Sequence, residues 1–224
     1  MGNQKMFVIT ADVIESKSFN EIESVIREKL DHVNETFEDV LYTKFTSLKG
    51  DEFQAIIGKD ELSRIPKIIR ELKHKMDMHK IRIGIGYGSV NNNGNKDSNY
   101  GSWEFNGEAF HKARHAIDEL RMKKKNTVQY MTMFNLFDDE TKNEIINLLY
   151  YNVDRALSKW KEENWMISYY LEKGFTHEEV MKKMNEESKN KKERVSYTKK
   201  INRSDWYLIQ EIEKLMIKVL KEGL

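Results

Sequence analysis

The sequence predicts an α+β protein: a mixed, largely antiparallel sheet with flanking helices over residues 1–137, followed by an all-α region over residues 138–224. Three observations predict it. Apolar runs of strand length alternate with segments of helical periodicity in the order β-α-β-β-α-β-α-β, a split-βαβ arrangement. A polar turn at residues 48–51 joins two strand-like runs into a hairpin. After about residue 138 the strand signals stop, and the remaining chain is charged and helical.

The first strand is MFVITA, residues 6–11, a continuous apolar run ending at Asp12, as expected of a strand buried on both faces. Ser18 and Glu21 form a capping box ahead of a helix whose Ile22, Val25, Ile26, Leu30, Val33 and Phe37 recur at helical spacing. Residues 41–47 and 52–57 are the arms of the hairpin. Leu62, Ile65, Ile68, Ile69, Leu72 and Met76 mark a second helix, with Pro66 near its first turn, where a missing N–H is tolerated. KIRIGIGYGSV is a further strand, and its Gly84, Gly86 and Gly88 bare one side for close approach of a backbone or ligand. Residues 91–106 turn to Asn, Gly and Ser and read as a long loop. Ala109, Phe110, Ala113, Ala116, Ile117 and Leu120 line one face of the next helix, and residues 127–131 are the last expected strand.

Lys and Arg number 38 against 37 Asp and Glu, a formal net charge of +1, so any basic surface must be local. The absence of cysteine excludes disulfides, thiol chemistry and Cys-ligated zinc. The N-terminal apolar run breaks too early for a signal peptide or a membrane span, so a cytoplasmic protein without a membrane partner is expected. The weight of Lys, Asn and Ile is the bias of an AT-rich genome.

Asp12 ends the first strand, and Asp51 and Glu52 lie in the hairpin. With the hairpin paired beside the first strand, these carboxylates meet at one end of the sheet. Clustered carboxylates repel, and a hard cation such as Mg²⁺ between them relieves the repulsion. Two such cations about 4 Å apart suit in-line attack at phosphorus. The other reading of the same residues is a strand end and a solvated turn.

Four motifs, ADVIES (11–16), GDEF (50–53), RIGIGYG (82–88) and GEAFHKAR (107–114), occur in an order that resembles nucleotidyl cyclase domains, both the class III cyclases and the GGDEF domains. With the C-terminal half included, the chain resembles the SatD family over nearly its full length. The resemblance implies a ferredoxin-like palm with Mg²⁺ or Mn²⁺ as cofactor. It implies Asp12 and Asp51 as metal ligands and Glu52 as the second acid of the GGDEF signature. It also implies Val13, Ile14 and Ser16 in a turn that cradles nucleotide phosphates, and Arg114 as the group stabilising charge on the transferring phosphate. The chain departs from the cyclase pattern at Phe110, where cyclases have Asn, and at Lys49, which replaces the first glycine of GGDEF. A clear purine-selecting Lys is also missing.

In the C-terminal half, ENWMISYYLEKGFTHEEVMKKM has the shape of the first two helices of a helix-turn-helix. Trp165 and Tyr169 are expected to anchor the first, Gly174 to end it, and Thr176 with Glu179 to cap the second. Residues 191–203 would be the recognition helix, presenting Lys191, Lys192, Arg194, Ser196, Tyr197, Lys199, Lys200 and Arg203 to double-stranded DNA. The other reading is a helical bundle with a solvated basic face. Ile209, Ile212, Leu215, Met216, Val219 and Leu220 stripe a terminal helix that packs inside the chain or forms a homodimer seam. The expected function is a SatD-like regulator whose nucleotide- and metal-binding palm controls a DNA-binding helix-turn-helix. The alternative is an active nucleotidyl cyclase or small nucleotide polymerase using two carboxylate-bound metals.

Overall fold

The computed structural model describes residues 4–16, 22–76, 80–92, 102–122, 128–187 and 193–224. At the centre of its sheet is β1 (Gln4–Val13), whose residues 6–13 are all buried. That is the placement its apolar run requires, since each fully buried Val, Ile or Phe contributes about 1.5–3 kcal/mol. β1 pairs antiparallel with β3 (Glu52–Gly58) on one side and with β4 (Ile81–Asn92) on the other. β2 (Leu41–Lys49) closes the hairpin with β3 across Gly50, whose φ of 62° suits glycine in the turn. α1 (Ile22–Thr36) precedes β2, and α2 (Ile65–Lys75) follows β3 after a 3₁₀ segment, Lys59–Arg64, with Pro66 in its first turn. The strand order β2-β3-β1-β4 with this connectivity is the ferredoxin-like arrangement. α3 (Glu108–Arg121) then crosses to β6 (Thr132–Asn135), which pairs parallel with β4. The fold is α+β, with eight α-helices among the described residues.

Residue parity assigns the faces. Directly opposed residues of antiparallel strands share a face, so Asp12, Glu52 and Arg82 form one row, and Thr10, Gln54 and Gly84 the next. The glycines of β4 lie on this same side, and α3 packs onto them. A Cβ on Gly86 would stand 2.1 Å from the Ala109 carbonyl oxygen, and one on Gly84 would stand 2.5 Å from that of Ala113. Glycine against alanine thus brings the helix backbone down onto the strand and aims the C-terminal turns of α3 at the Asp12 row.

Two edges of the sheet end in helix asparagines. In β2, the Phe45 N–H donates to Asn34 Oδ1 of α1 at 2.6 Å, and Asn34 Nδ2 donates back to the Phe45 carbonyl at 3.0 Å. Asn147, on α4 (Glu140–Leu157), does the same for Phe134 of β6, at 2.7 and 3.0 Å. Each amide stands in for a missing strand and satisfies edge groups that would otherwise invite pairing.

The chain clusters into two compact units, residues 1–148 with 217–224, and residues 149–216. The second contains α5 (Glu162–Glu172), α6 (His177–Glu187) and α7 (Arg194–Arg203), with a core of Ile167, Val180, Met184, Tyr197 and Ile201. Gly174, at φ 83°, ends α5, and Thr176 with Glu179 forms the capping box of α6, where bonds from Thr176 hold the Glu179 carboxyl below its ordinary pKa. α8 (Trp206–Gly223) is the terminal helix.

Several expectations need correction. The last strand lies at Thr132–Asn135 rather than at 127–131, because apolar residues run on past Met131 to Met133 and Phe134 and the pattern alone cannot fix where pairing begins. Tyr169 is 53% exposed and touches Tyr170 and Lys173 of its own helix end rather than the core. The neighbouring Tyr170 packs on Phe175 instead. On α8, Ile209, Met216 and Leu220 are buried but Leu215 points outward. The Ser18–Glu21 capping box and most of the 91–106 loop lie outside the described residues. The ends of that loop meet where β5 (Phe105–Asn106) pairs with Asn91 and Asn92.

Candidate functional site

The row of Asp12, Glu52 and Arg82 ends the sheet on the α3 face. Asp12 is 3% exposed, and a carboxylate buried this deeply is tolerated only when paired. Its Oδ2 accepts from Arg121 Nε at 3.0 Å and lies 2.9 Å from Arg121 Nη2. Its Oδ1 is 3.2 Å from Arg82 Nε, an ion pair too bent to count as a hydrogen bond. Arg121 Nη2 also reaches Glu52 Oε2 at 3.2 Å, while Arg114 Nη1 donates to Glu52 Oε1. Asp118, one helical turn from each, accepts from Arg121 Nη1 at 3.4 Å and faces Arg114 Nε at 3.7 Å. Three carboxylates therefore face three guanidiniums. Burial opposes the charge of Arg121, but its bonds to Asp12 and Glu52 outweigh that and hold its pKa above the ordinary guanidinium value.

The expected residues are only partly brought together. Asp12, Glu52 and Arg114 meet. Asp51 lies in the hairpin turn, where its backbone carbonyl accepts from the Val13 N–H at 3.2 Å, and it is Glu52 that stands opposite Asp12. The phosphate cradle expected at Val13 and Ile14 is not available through their amides. Val13 donates to Asp51, and the Ile14 N–H donates to the Lys80 carbonyl at 2.8 Å. Ser16 lies at the end of this turn, next to Glu15 in the left-handed region at φ 58°. Arg82, Arg121 and Asp118 went unread in the sequence, although Arg114, Asp118 and Arg121 recur at i, i+4 and i+7 on one helix face.

Whether these residues fit the divalent cation that the resemblance implies depends on what already neutralises them. All four oxygens of Asp12 and Glu52 face arginine nitrogens. Among the described residues, no three His, Cys, Asp or Glu side chains come together as a metal would need. As arranged, the pair does not fit a metal.

On the helical unit, Arg194, Ser196, Lys199 and Arg203 of α7 are exposed. Tyr197 is 2% exposed, with its hydroxyl donating to Asn185, so it faces the core and cannot reach a base. Lys200 pairs with Glu163 of α5. Lys191 and Lys192 lie outside the described residues.

The model of the SatD family matches residues 6–213. The chain belongs to the SatD family. No curated protein matches it. Among solved structures, a bacterial light-regulated adenylyl cyclase is similar at a TM-score of 0.44 and 14% identity, covering 60% of this chain and 77% of that one. The guanylyl cyclase Cya2 is similar at 0.36 and 18%, covering 51% and 71%. The guanylate cyclase domain of RhGC from Catenaria anguillulae, solved in complex with GTP, is similar at 0.41 and 13%, covering 59% and 78%. Likeness of this degree carries no statement about what the SatD chain does. Among the described residues, no helix is long and apolar enough to cross a membrane.

Proposed function

We propose that this SatD-family protein is a nucleotide-responsive regulator: the sheet unit takes up a nucleoside triphosphate or related nucleotide, and the helical unit binds double-stranded DNA. The observation that carries the reading is the convergence of Arg82, Arg114 and Arg121 at one end of the sheet. Arg114 is 49% exposed, and a guanidinium fork matches phosphate oxygens in geometry and charge. Mg²⁺ or Mn²⁺ has no part in this reading while Arg121 spans Asp12 and Glu52.

For DNA, α5 and α6 are joined by the residues 173–176, with Gly174 among them, and α7 follows as the basic helix. Arg194, Lys199 and Arg203 supply phosphate contacts, which position a protein on the duplex without reading sequence. The test is a titration of labelled duplex against salt, with and without nucleoside triphosphate. Three phosphate contacts predict a log–log slope of about −2.7, and Lys199→Ala flattens it by about 0.9. Nucleotide changes DNA affinity by some factor, and DNA changes nucleotide affinity by the same factor. A DNA affinity unmoved by nucleotide removes the sensor, and no binding even at low salt removes the regulator.

The meeting of Arg114 with Glu52 favours a second reading, an active nucleotidyl cyclase or small nucleotide polymerase, since the resemblance makes both residues catalytic. Incubation with each nucleoside triphosphate and Mn²⁺, followed by mass spectrometry, would reveal its product.

A further inference from the structure

One guanidinium bridges two carboxylates from neighbouring strands. Arg121 Nη2 lies 2.9 Å from Asp12 Oδ2 and 3.2 Å from Glu52 Oε2, so it sits between the acids as a bridging cation would. The remaining oxygens are also taken, Asp12 Oδ1 by Arg82 and Glu52 Oε1 by Arg114. A divalent cation entering here would have to part these carboxylates from guanidiniums that already neutralise them, in a partly desolvated place where such pairs hold far more strongly than in water. Glycine against alanine presses α3 onto β4, which brings the C-terminal end of the helix, and Arg121 with it, beside the Asp12 row.

We propose that Arg121 is the resident cation of the Asp12–Glu52 pair: it excludes divalent metal, and its removal converts the pair into a metal-binding site. Without Arg121, the buried Asp12 carboxylate keeps only its bent contact with Arg82, and Glu52 keeps Arg114 at its outer oxygen. Two oxygens then face each other without a counter-charge, the donor type hard cations take. This inference does not depend on nucleotide or DNA binding.

The test uses the full chain, stripped with EDTA and free of nucleotide. Mn²⁺ is titrated while the free ion is followed by electron paramagnetic resonance, and melting temperature is recorded alongside. Wild type is expected to leave sub-millimolar Mn²⁺ free and to melt unchanged. Arg121→Met is expected to take up one equivalent, at least about tenfold more tightly than wild type, and to gain melting temperature with Mn²⁺ by linkage. Adding Asp12→Asn to Arg121→Met should abolish both effects. A saturable Mn²⁺ site in wild type that Asp12→Asn removes would overturn the proposal, as would an Arg121→Met chain that folds and binds none. An Arg121→Met chain unfolded with and without Mn²⁺ also counts against it, because a cation able to replace the guanidinium should restore the fold. Failure to bind any nucleotide would sink the sensor reading and leave these outcomes as they are.

Discussion

Lys112 shows how single charges tie α3 to the rest of its unit. Its ammonium lies 2.8 Å from Glu108 Oε1 and 2.9 Å from Asp138 Oδ1, and the Ser89 N–H donates to Glu108 Oε2 at 3.3 Å. Lys112 holds both carboxyls below their ordinary values of 4.5 and 3.8. A lowered folded pKa stabilises the fold above the ordinary value, and that contribution is lost as pH falls through the lowered one. Lys112→Ala should therefore destabilise the protein at about pH 7, and the difference from wild type should shrink once acid has protonated Glu108 and Asp138. Urea unfolding at the two pH values measures this, and a difference that persists in acid would assign Lys112 a packing role only. Asp12, Glu52 and Arg114 were legible because they sit in short motifs. Arg82 and Arg121 were not, because one looks like a strand flank and the other like the cationic end of a helix. Only the register Asp12 to Arg82 and the seating of α3 reveal what they neutralise. The amides of Val13 and Ile14 were misjudged for a similar reason: their acceptors, on Asp51 and Lys80, are distant in sequence.

Among the elements, α3 and β4 act as a pair. The three glycines of β4 were read as a bared side, and α3 occupies it, with backbone against Gly84 and Gly86 and the Glu108 side chain against Gly88. Gly86→Ala places a methyl carbon on backbone atoms that cannot swing aside, so it should cost about 1–3 kcal/mol by overpacking. It should also lift α3 and loosen Arg121 from Asp12, so Gly86→Ala should acquire some of the Mn²⁺ response expected of Arg121→Met. Chemical denaturation and a Mn²⁺ melting series check both parts, and a stability equal to wild type would contradict the close packing. Long periodic elements such as α1 and α2 were legible, although Leu62, read as part of α2, lies in the 3₁₀ segment Lys59–Arg64 ahead of it. Short ones were not: β6 is four residues, and β5 is two residues pairing only with the end of β4. Asn34 and Asn147, which close the sheet edges, look like ordinary polar helix residues until the strands beside them are known.

For the molecule as a whole, a net charge of +1 conceals strong local order, with cations concentrated at the Asp12 row and on α7. The change from strand signals to charged helix was readable in composition, as was membership of the SatD family in the sequence of motifs. The role of each basic residue on α7 was not, because Tyr197 and Lys200 turn to the helical core and to Glu163 only once three helices pack together. In the proposed function this end of the sheet recognises phosphate by guanidinium and without metal. Calorimetric titration of a nucleoside triphosphate into the wild-type protein in EDTA, repeated with excess Mg²⁺, tests it most directly. The account predicts binding in EDTA that Mg²⁺ does not strengthen, weakened about tenfold or more by Arg114→Ala through loss of a charge-assisted bond. Binding that appears only when a divalent cation is supplied would contradict it.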